Sequence, residues 1–502
     1  MTLRCLFVDF NSYFASVEQY DDPSLIGRPV GVVPVIAATT CCIAASVEAK
    51  TYGIGTGTPV WEALEKYPDL KLVQARPARY VELHHELMAA IGDCIPHGEP
   101  LSIDEVPCWL IGRERQRGNA EAIALRIKQT LVERGYSPAI RCSIGIAPNK
   151  FLAKTASDML KPDGLTVLEA ADLPDILHAL ELRDFCGIGP SMESRLRAAG
   201  IHTVQQLCAT TREHLRAAWG SVEGDRFWLQ LRGHDLPDRK TTRSSVGHSH
   251  VLGPELRNFA GMRSVLFKLL AKAAMRLRKD QYLARGLALR IRFVGLEARF
   301  ERDLCFAPLD DTTAFLHQLG EQLLQLEDSI ARGRWNPRRH PPLSVAVTLT
   351  GLETAGSLAG ELMEGRRRAR QVSTVLDSIN RKYGNNAVYF GAMQQAIDHD
   401  AAPMRIPFAH VPETALEEET ATRRRGAARS PSPSADELYL LRERQFKVMA
   451  ENAHRESQKR HARGPDGARE TAPAKAGAAG WSSKRKAVPG PDLDIGQTGT
   501  LF

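Results

Sequence analysis

Two short apolar runs in this chain end in acids, Leu6-Phe7-Val8-Asp9-Phe10 and Leu101-Ser102-Ile103-Asp104-Glu105. Read as strands, they set three carboxylates, Asp9, Asp104 and Glu105, at strand ends. Hard oxygen ligands so arranged suit Mg²⁺, because one or two carboxylates suffice when substrate phosphates complete the metal's shell. Phosphate chemistry is therefore the leading expectation. An isolated Asp-Glu pair reads more simply as a solvated turn, but this pair is accompanied by further motifs.

The elements that must carry these acids are legible from periodicity. Residues 3–9 form a short, mostly apolar run of strand length, and Asn11 to Gln19 can start a helix directly after it. A strand near Lys71–Gln74, a helix from about Tyr80 to Ile95 and strand-like runs at Leu101–Ile103 and Val106–Leu110 follow. A helix over about Asn119–Arg134 takes Asn119 as its N-cap, with Ile123, Ile127 and Leu131 spaced along one face, and a strand follows at Ile140–Ile146. Interleaved strands and helices of this kind predict an α+β domain, helices packed on one sheet face and the carboxylates converging at one end.

At 502 residues the chain should hold several domains, since single cores rarely grow past about 250–300 residues. The net charge of +7 and pI near 8.9 favour a polyanionic partner. Nine cysteines without C-x-x-C spacing read as reduced core thiols, neither a disulfide frame nor a zinc site. Pro29, Gly31 and Pro34 break the uncharged run from Pro29 to Val47 into strands and turns, so it does not read as a membrane span. The N-terminus lacks a signal-peptide pattern, and the expected location is the cytoplasm.

From about Leu165 to Gly233 the pattern is helical and includes Phe185-Cys186-Gly187-Ile188-Gly189-Pro190, then a helix ending at Gly200. Glycines there let the backbone approach a phosphate while the following helix offers free N–H groups; a plain helix-connecting turn has the same look. After the polar linker Lys240–Ser245, the stretch from Arg257 to Arg292 holds ten Lys or Arg and one acid, Asp280. The alternating strand Leu287–Phe293 sets Arg290 and Arg292 opposite its larger apolar residues, as a phosphate-tracking face or simply a solvated one. Leu343–Leu349 alternates likewise. Beyond about Val411 the composition, with Glu417-Glu418-Glu419, Arg423-Arg424-Arg425 and an Ala/Gly/Lys-rich run from 463 to 490, predicts disorder, interrupted by a basic helix around Asp436–Lys459.

Three motifs together carry a family resemblance. Phe7-Val8-Asp9-Phe10-Asn11-Ser12-Tyr13-Phe14-Ala15-Ser16-Val17-Glu18, Ser102-Ile103-Asp104-Glu105 and the run Gly145 to Gly164 resemble, in order, the motifs of the Y-family translesion DNA polymerases, over roughly residues 1–400. The resemblance implies a multidomain right hand: a ferredoxin-like palm at 1–18 and 71–165, small fingers at 19–70, a helical thumb at 166–239 with a helix–hairpin–helix-like turn, an α/β little finger at 240–400 that binds DNA, and a largely disordered tail at 401–502. It implies low-fidelity, template-directed synthesis without proofreading, in translesion synthesis and DNA repair.

Carried over residue by residue, Asp9, Asp104 and Glu105 would be catalytic and, with the Phe10 carbonyl, would hold two Mg²⁺ ions. Phe14 matches the steric gate against ribonucleotides. Tyr13, Lys50 and Lys161 would contact the nucleotide, and Gly187, Gly189, Arg290 and Arg292 the DNA. The final Gln497-Thr498-Gly499-Thr500-Leu501-Phe502 resembles peptides that bind the sliding clamp, with Gln497, Leu501 and Phe502 as its anchors. Implied partners are primer–template DNA, deoxynucleoside triphosphates, the clamp and SOS mutasome proteins, in a cytoplasmic, nucleoid-associated setting.

Two departures stand out. Ser46-Val47-Glu48-Ala49-Lys50 replaces a Tyr and an Arg that hold the triphosphate in the polymerase IV pattern, resembling the polymerase V branch at Lys50; Asn11 replaces a second aspartate of the first motif. A rival reading is a catalytically silent family member that serves as a scaffold for DNA, clamp and mutasome, although such relatives typically lack the acids present here. A helix–hairpin–helix repair factor would account for the thumb and basic stretch but not for the carboxylates.

Overall fold

The protein is described here by a computed structural model, which covers residues 2–239, 242–296, 299–333, 335–355, 364–408 and 411–413. All lie in one compact unit, Met1–Arg423. Strand β1 (Cys5–Phe10) is buried at every position and is followed at once by helix α1 (Tyr13–Asp21). Ser12 makes the turn between them at φ 50°, a left-handed conformation that a side chain adopts only at some cost.

The insertion expected next forms its own small sheet: β2 (Val30–Val33), β3 (Ala44–Ala45), helices α2 (Val47–Lys50) and α3 (Val60–Lys66), and β4 (Lys71–Gln74), in the order β3-β2-β4. Here the expected boundary moves. Lys71–Gln74 is a strand as read, but it pairs in parallel with β2, so it belongs to the inserted unit and not to the palm sheet.

The palm resumes with α4 (Pro77–Gly92), β5 (Glu105–Trp109), α5 (Arg117–Glu133), β6 (Cys142–Ala147), α6 (Lys150–Met159) and β7 (Leu165–Val167), its sheet ordered β5-β1-β6-β7. Three local readings are corrected. Leu101–Ile103 is not a strand: the Leu101 N–H donates to the Glu105 carbonyl and the Ser102 hydroxyl to the Asp104 carboxylate, folding the segment into bends. Asn119 does not cap α5, which starts earlier at Arg117; its amide donates to the Arg113 carbonyl instead. Helices cover both sheet faces, not one. Leu6, Val8 and Phe10 of β1 share a core with residues of α4 and α5, whereas Cys5 and Phe7 pack with Leu152, Ala153 and Ala156 of α6, which is why β1 reads as continuously apolar.

A helical unit follows: α7 (Pro190–Ala198), α8 (Val204–Ala209), α9 (Arg212–Trp219) and α10 (Glu223–Leu231). Asn149 ties it to the palm, its Oδ1 capping α6 by accepting from the Leu152 N–H while its amide donates to the Gln230 and His234 carbonyls at 2.9 and 3.0 Å. The last unit holds β8 (Ser245–Val251), α11 (Phe259–Lys279), β9 (Tyr282–Phe293), β10 (Arg299–Leu309), α12 (Thr312–Ala331), β11 (Pro342–Thr350), β12 (Glu353–Thr354), α13 (Glu364–Tyr383) and α14 (Gln394–Asp398). Its sheet runs β10-β9-β11-β8, with β12 added to β9.

Residues 401–408, expected to begin the disordered tail, pack instead. Ala401 and Ala402 are buried in the core of the last unit, and Met404 in that of the palm, because the apolar residues at 404, 406 and 408 alternate like a strand. The expected tail beyond residue 413, with its basic helix, lies outside the described residues. Among the described residues no helix is long and apolar enough to cross a membrane.

Candidate active site

The register of the palm sheet builds the acid cluster. Asp9 on β1 stands directly opposite Glu105 on β5, and on its other side opposite Ser143 on β6. Like charges opposite each other on antiparallel strands repel. Here an ammonium stands between them: Lys154 of α6 pairs with Asp9, lies 2.6 Å from Glu105 and also reaches Asp158 at 3.3 Å. Lys161 adds a second cation, 2.7 Å from Asp9 and 2.6 Å from Asp158.

Burial dominates the electrostatics. It pushes the Glu105 carboxyl up to about 7, against the pull of Lys154. Asp104 is likewise raised by burial, with the Ser102 hydroxyl acting in the opposite sense at 2.6 Å. Burial opposes the charge on Lys154, yet Asp9 and Glu105 outweigh it and hold the ammonium above its usual range. Lys50, at the end of α2, is lowered by desolvation and by Lys161, while Asp9 and Asp104 act the other way.

The expected convergence of three acids is met in part. Asp9 and Glu105 share one cation, but Asp104 is turned to Ser102, and among the described residues no group of three His, Cys, Asp or Glu side chains is gathered to hold a metal. The donor set still fits hard divalent ions, since two carboxylates flank a position that already holds a positive charge. Ser12 Oγ, buried without a hydrogen-bond partner among the described residues, leaves an unpaired donor in the same turn.

Phe14 is buried at the start of α1, stacked on Tyr80 at 4.5 Å between ring centroids. Tyr13, expected to contact the nucleotide, lies buried beside Phe14, its OH donating to the Tyr80 carbonyl at 2.8 Å. Two residues were missed from the sequence. Lys154 lies within the third motif, one helical turn before Asp158, a spacing that places both on one face of α6. Asn11 positions the loop of Lys161: its Oδ1 accepts from the Asp163 N–H at 2.7 Å and its amide donates to Ser143 at 3.0 Å.

Gly187 takes φ +93°, and neither it nor Gly189 has an atom within 4 Å of where a Cβ would stand, so the backbone before α7 is open to approach. On β9, Arg290 and Arg292 share the face opposite buried Leu289 and Ile291, as read. The near-absence of acids does not hold in space, because Asp303 and Glu301 of β10 lie 2.8 and 3.7 Å from Arg290. Gln497, Leu501 and Phe502 lie outside the described residues.

Known proteins match along most of the chain. The model of the impB/mucB/samB family matches residues 8–158, that of the family's C-terminal domain residues 243–362, and that of a DNA polymerase-iota thumb domain residues 183–235. A DNA polymerase IV of Moorella thermoacetica is 33% identical over 76% of this chain and 94% of its own. Another from Alkalilimnicola ehrlichii is 32% identical over 70% and 96%. Among solved structures, a Y-family DNA polymerase chimera of Dbh and Dpo4 superposes with a TM-score of 0.56 at 23% identity, covering 70% of this chain and 99% of its own.

Proposed function

The chain belongs to the impB/mucB/samB family and is a DNA-directed DNA polymerase of the Y-family translesion class; from that premise we propose that Asp9, Asp104 and Glu105 are its catalytic carboxylates. The observation that carries the assignment is the cross-strand pair Asp9–Glu105 with a lysine ammonium between. With the Phe10 carbonyl, these residues would hold two Mg²⁺ ions, whose chemistry is to lower the pKa of a primer 3′-hydroxyl and to neutralise the triphosphate and the pyrophosphate leaving group.

The chain's own residues do the rest. Lys154 and Lys161 offset part of the negative charge of the acid cluster before substrate arrives, and as mobile point charges on flexible stems they can turn to phosphate oxygens. Lys50 adds a third such charge without the bidentate fork an arginine offers. Phe14 excludes a ribose 2′-hydroxyl by clash.

The inserted unit through Gln74 would be the fingers, residues 166–239 the thumb, its Gly187–Gly189 turn lying against a DNA phosphate, and the unit from β8 onward the little finger, with Arg292 and in part Arg290 on the backbone. Divalent-metal dependence, the clamp, SOS mutasome partners, and a cytoplasmic, nucleoid-associated location belong to the same reading.

Primer extension on undamaged and abasic templates with Mg²⁺ tests it. Extension past the abasic site supports lesion bypass, and extension that stops at the lesion contradicts it.

A further inference from the structure

The segment after α14 crosses from the little-finger unit to the palm and ends beside Phe14. Its start is held by α11: the buried Lys268 ammonium donates to the Ala401 carbonyl at 2.7 Å, and Lys272 to the Ala402 and Pro403 carbonyls at 2.6 and 2.7 Å. Its far part joins the palm core through buried Met404 and through Ile406, Phe408 and Val411. The Ile103 N–H, one residue before Asp104, donates to the Phe408 carbonyl at 3.2 Å. The Phe408 ring stands 5.5 Å from that of Phe14 at 56°.

Phe14 is thus enclosed by three aromatic neighbours, namely Tyr80 stacked at 4.5 Å, Tyr13 at 6.0 Å and Phe408. Tyr13 and Tyr80 are themselves fixed, since the Tyr13 hydroxyl donates to the Tyr80 carbonyl and the Tyr80 hydroxyl to Glu18 at 2.7 Å. Phe408 comes from nearly 400 residues away in sequence, and of the three it alone lies on the segment whose start, Ala401–Pro403, is held by α11. A ring that selects against one hydroxyl by clash works only while it is kept from turning aside, and side chains in close-packed surroundings keep their rotamers.

We infer that Phe408 is a positioning residue for sugar selection: it closes the packing around Phe14, so the strap 401–408 couples the placement of the little finger to the steric gate. The inference rests on the reading of Phe14 as that gate. Removing the Phe408 ring would open a space beside Phe14 into which its ring can turn.

The test is single-nucleotide incorporation by the full chain, comparing kcat/KM for a deoxynucleotide with that for the matching ribonucleotide, in wild type, Phe14→Ala, Phe408→Ala, Phe408→Leu and the double variant Phe14→Ala/Phe408→Ala. Phe408→Ala should lower discrimination by about tenfold or more, a barrier change of about 1.4 kcal/mol. Phe408→Leu, which refills much of the volume, should restore part of it and serves as the readout if the alanine variant does not fold. Because Phe408 acts through Phe14, the double variant should discriminate no worse than Phe14→Ala alone. Relaxed selection in Phe14→Ala with unchanged selection in both Phe408 variants, or additive losses in the double variant, would overturn the inference while leaving the gate in place. Unchanged selection in Phe14→Ala would remove the gate assignment and this inference with it.

Discussion

Asp9 and Glu105 face each other across adjacent antiparallel strands, and the Lys154 ammonium that pairs with both lies 2.6 Å from Glu105. Cross-strand carboxylates repel unless a cation sits between them. The palm therefore folds around a site that demands positive charge, and α6 supplies it.

Lys154→Met removes the competing ammonium. In DNA-free protein, Mn²⁺ followed by electron paramagnetic resonance should bind more tightly than in wild type by several-fold, while single-turnover nucleotide addition slows by about tenfold through loss of a phosphate contact. Weaker Mn²⁺ binding in the variant would contradict the account.

Lys50→Arg offers a bidentate fork where the chain has a point charge. It should lower KM for deoxynucleotides by up to about tenfold, as one added charge-assisted hydrogen bond contributes roughly 1.5–3 kcal/mol before side-chain ordering. Steady-state kinetics on an undamaged template would check it, and an unchanged KM for both Lys50→Arg and Lys50→Ala would place Lys50 outside the nucleotide site.

Gly145 on β6 lets α6 lie against the sheet. A Cβ there would overlap the Ala153 carbonyl oxygen and the Ser157 nitrogen, so the helix bearing Lys154 must shift. Gly145→Ala should cost about 2–4 kcal/mol in denaturant unfolding and reduce activity with it. A loss below about 0.5 kcal/mol would show that α6 is not held so closely.

His84 gives a pH dependence of stability. It is buried on α4 with Nδ1 2.7 Å from the Ile103 carbonyl, and burial pushes its pKa down to about 4. In the unfolded chain the group titrates near 6.5, so between these values only the unfolded state binds the proton. Its contribution is fully present above about pH 6.5 and is lost as pH falls towards 4. The difference in unfolding free energy between wild type and His84→Gln should shrink by up to about 3 kcal/mol over that window; a constant difference would show that His84 carries its proton in the fold.

Much of this was legible in the sequence because the acids sit in strongly patterned strands. The run Leu6–Phe10 reads as a buried strand, and Asp9 and Glu105 follow from it. Long-range pairing was not legible: the same β-rich pattern at Lys71–Gln74 fits either sheet, and only the partner strand β2 decides. The bends at Leu101–Ile103 arise from hydrogen bonds of Ser102 and Leu101 that outcompete strand propensity. At the other end, the average composition of the tail hid a short alternation, Met404, Ile406 and Phe408, that is enough to pack against the palm.

The most direct test of the central claim is primer extension in Mg²⁺ by wild type and by Asp104→Asn, each first shown to bind primer–template DNA equally. Wild type should extend the primer and the variant should lose at least about a thousandfold, since the proposed catalytic carboxylate is removed without a change of shape. Comparable extension by both proteins would contradict the assignment.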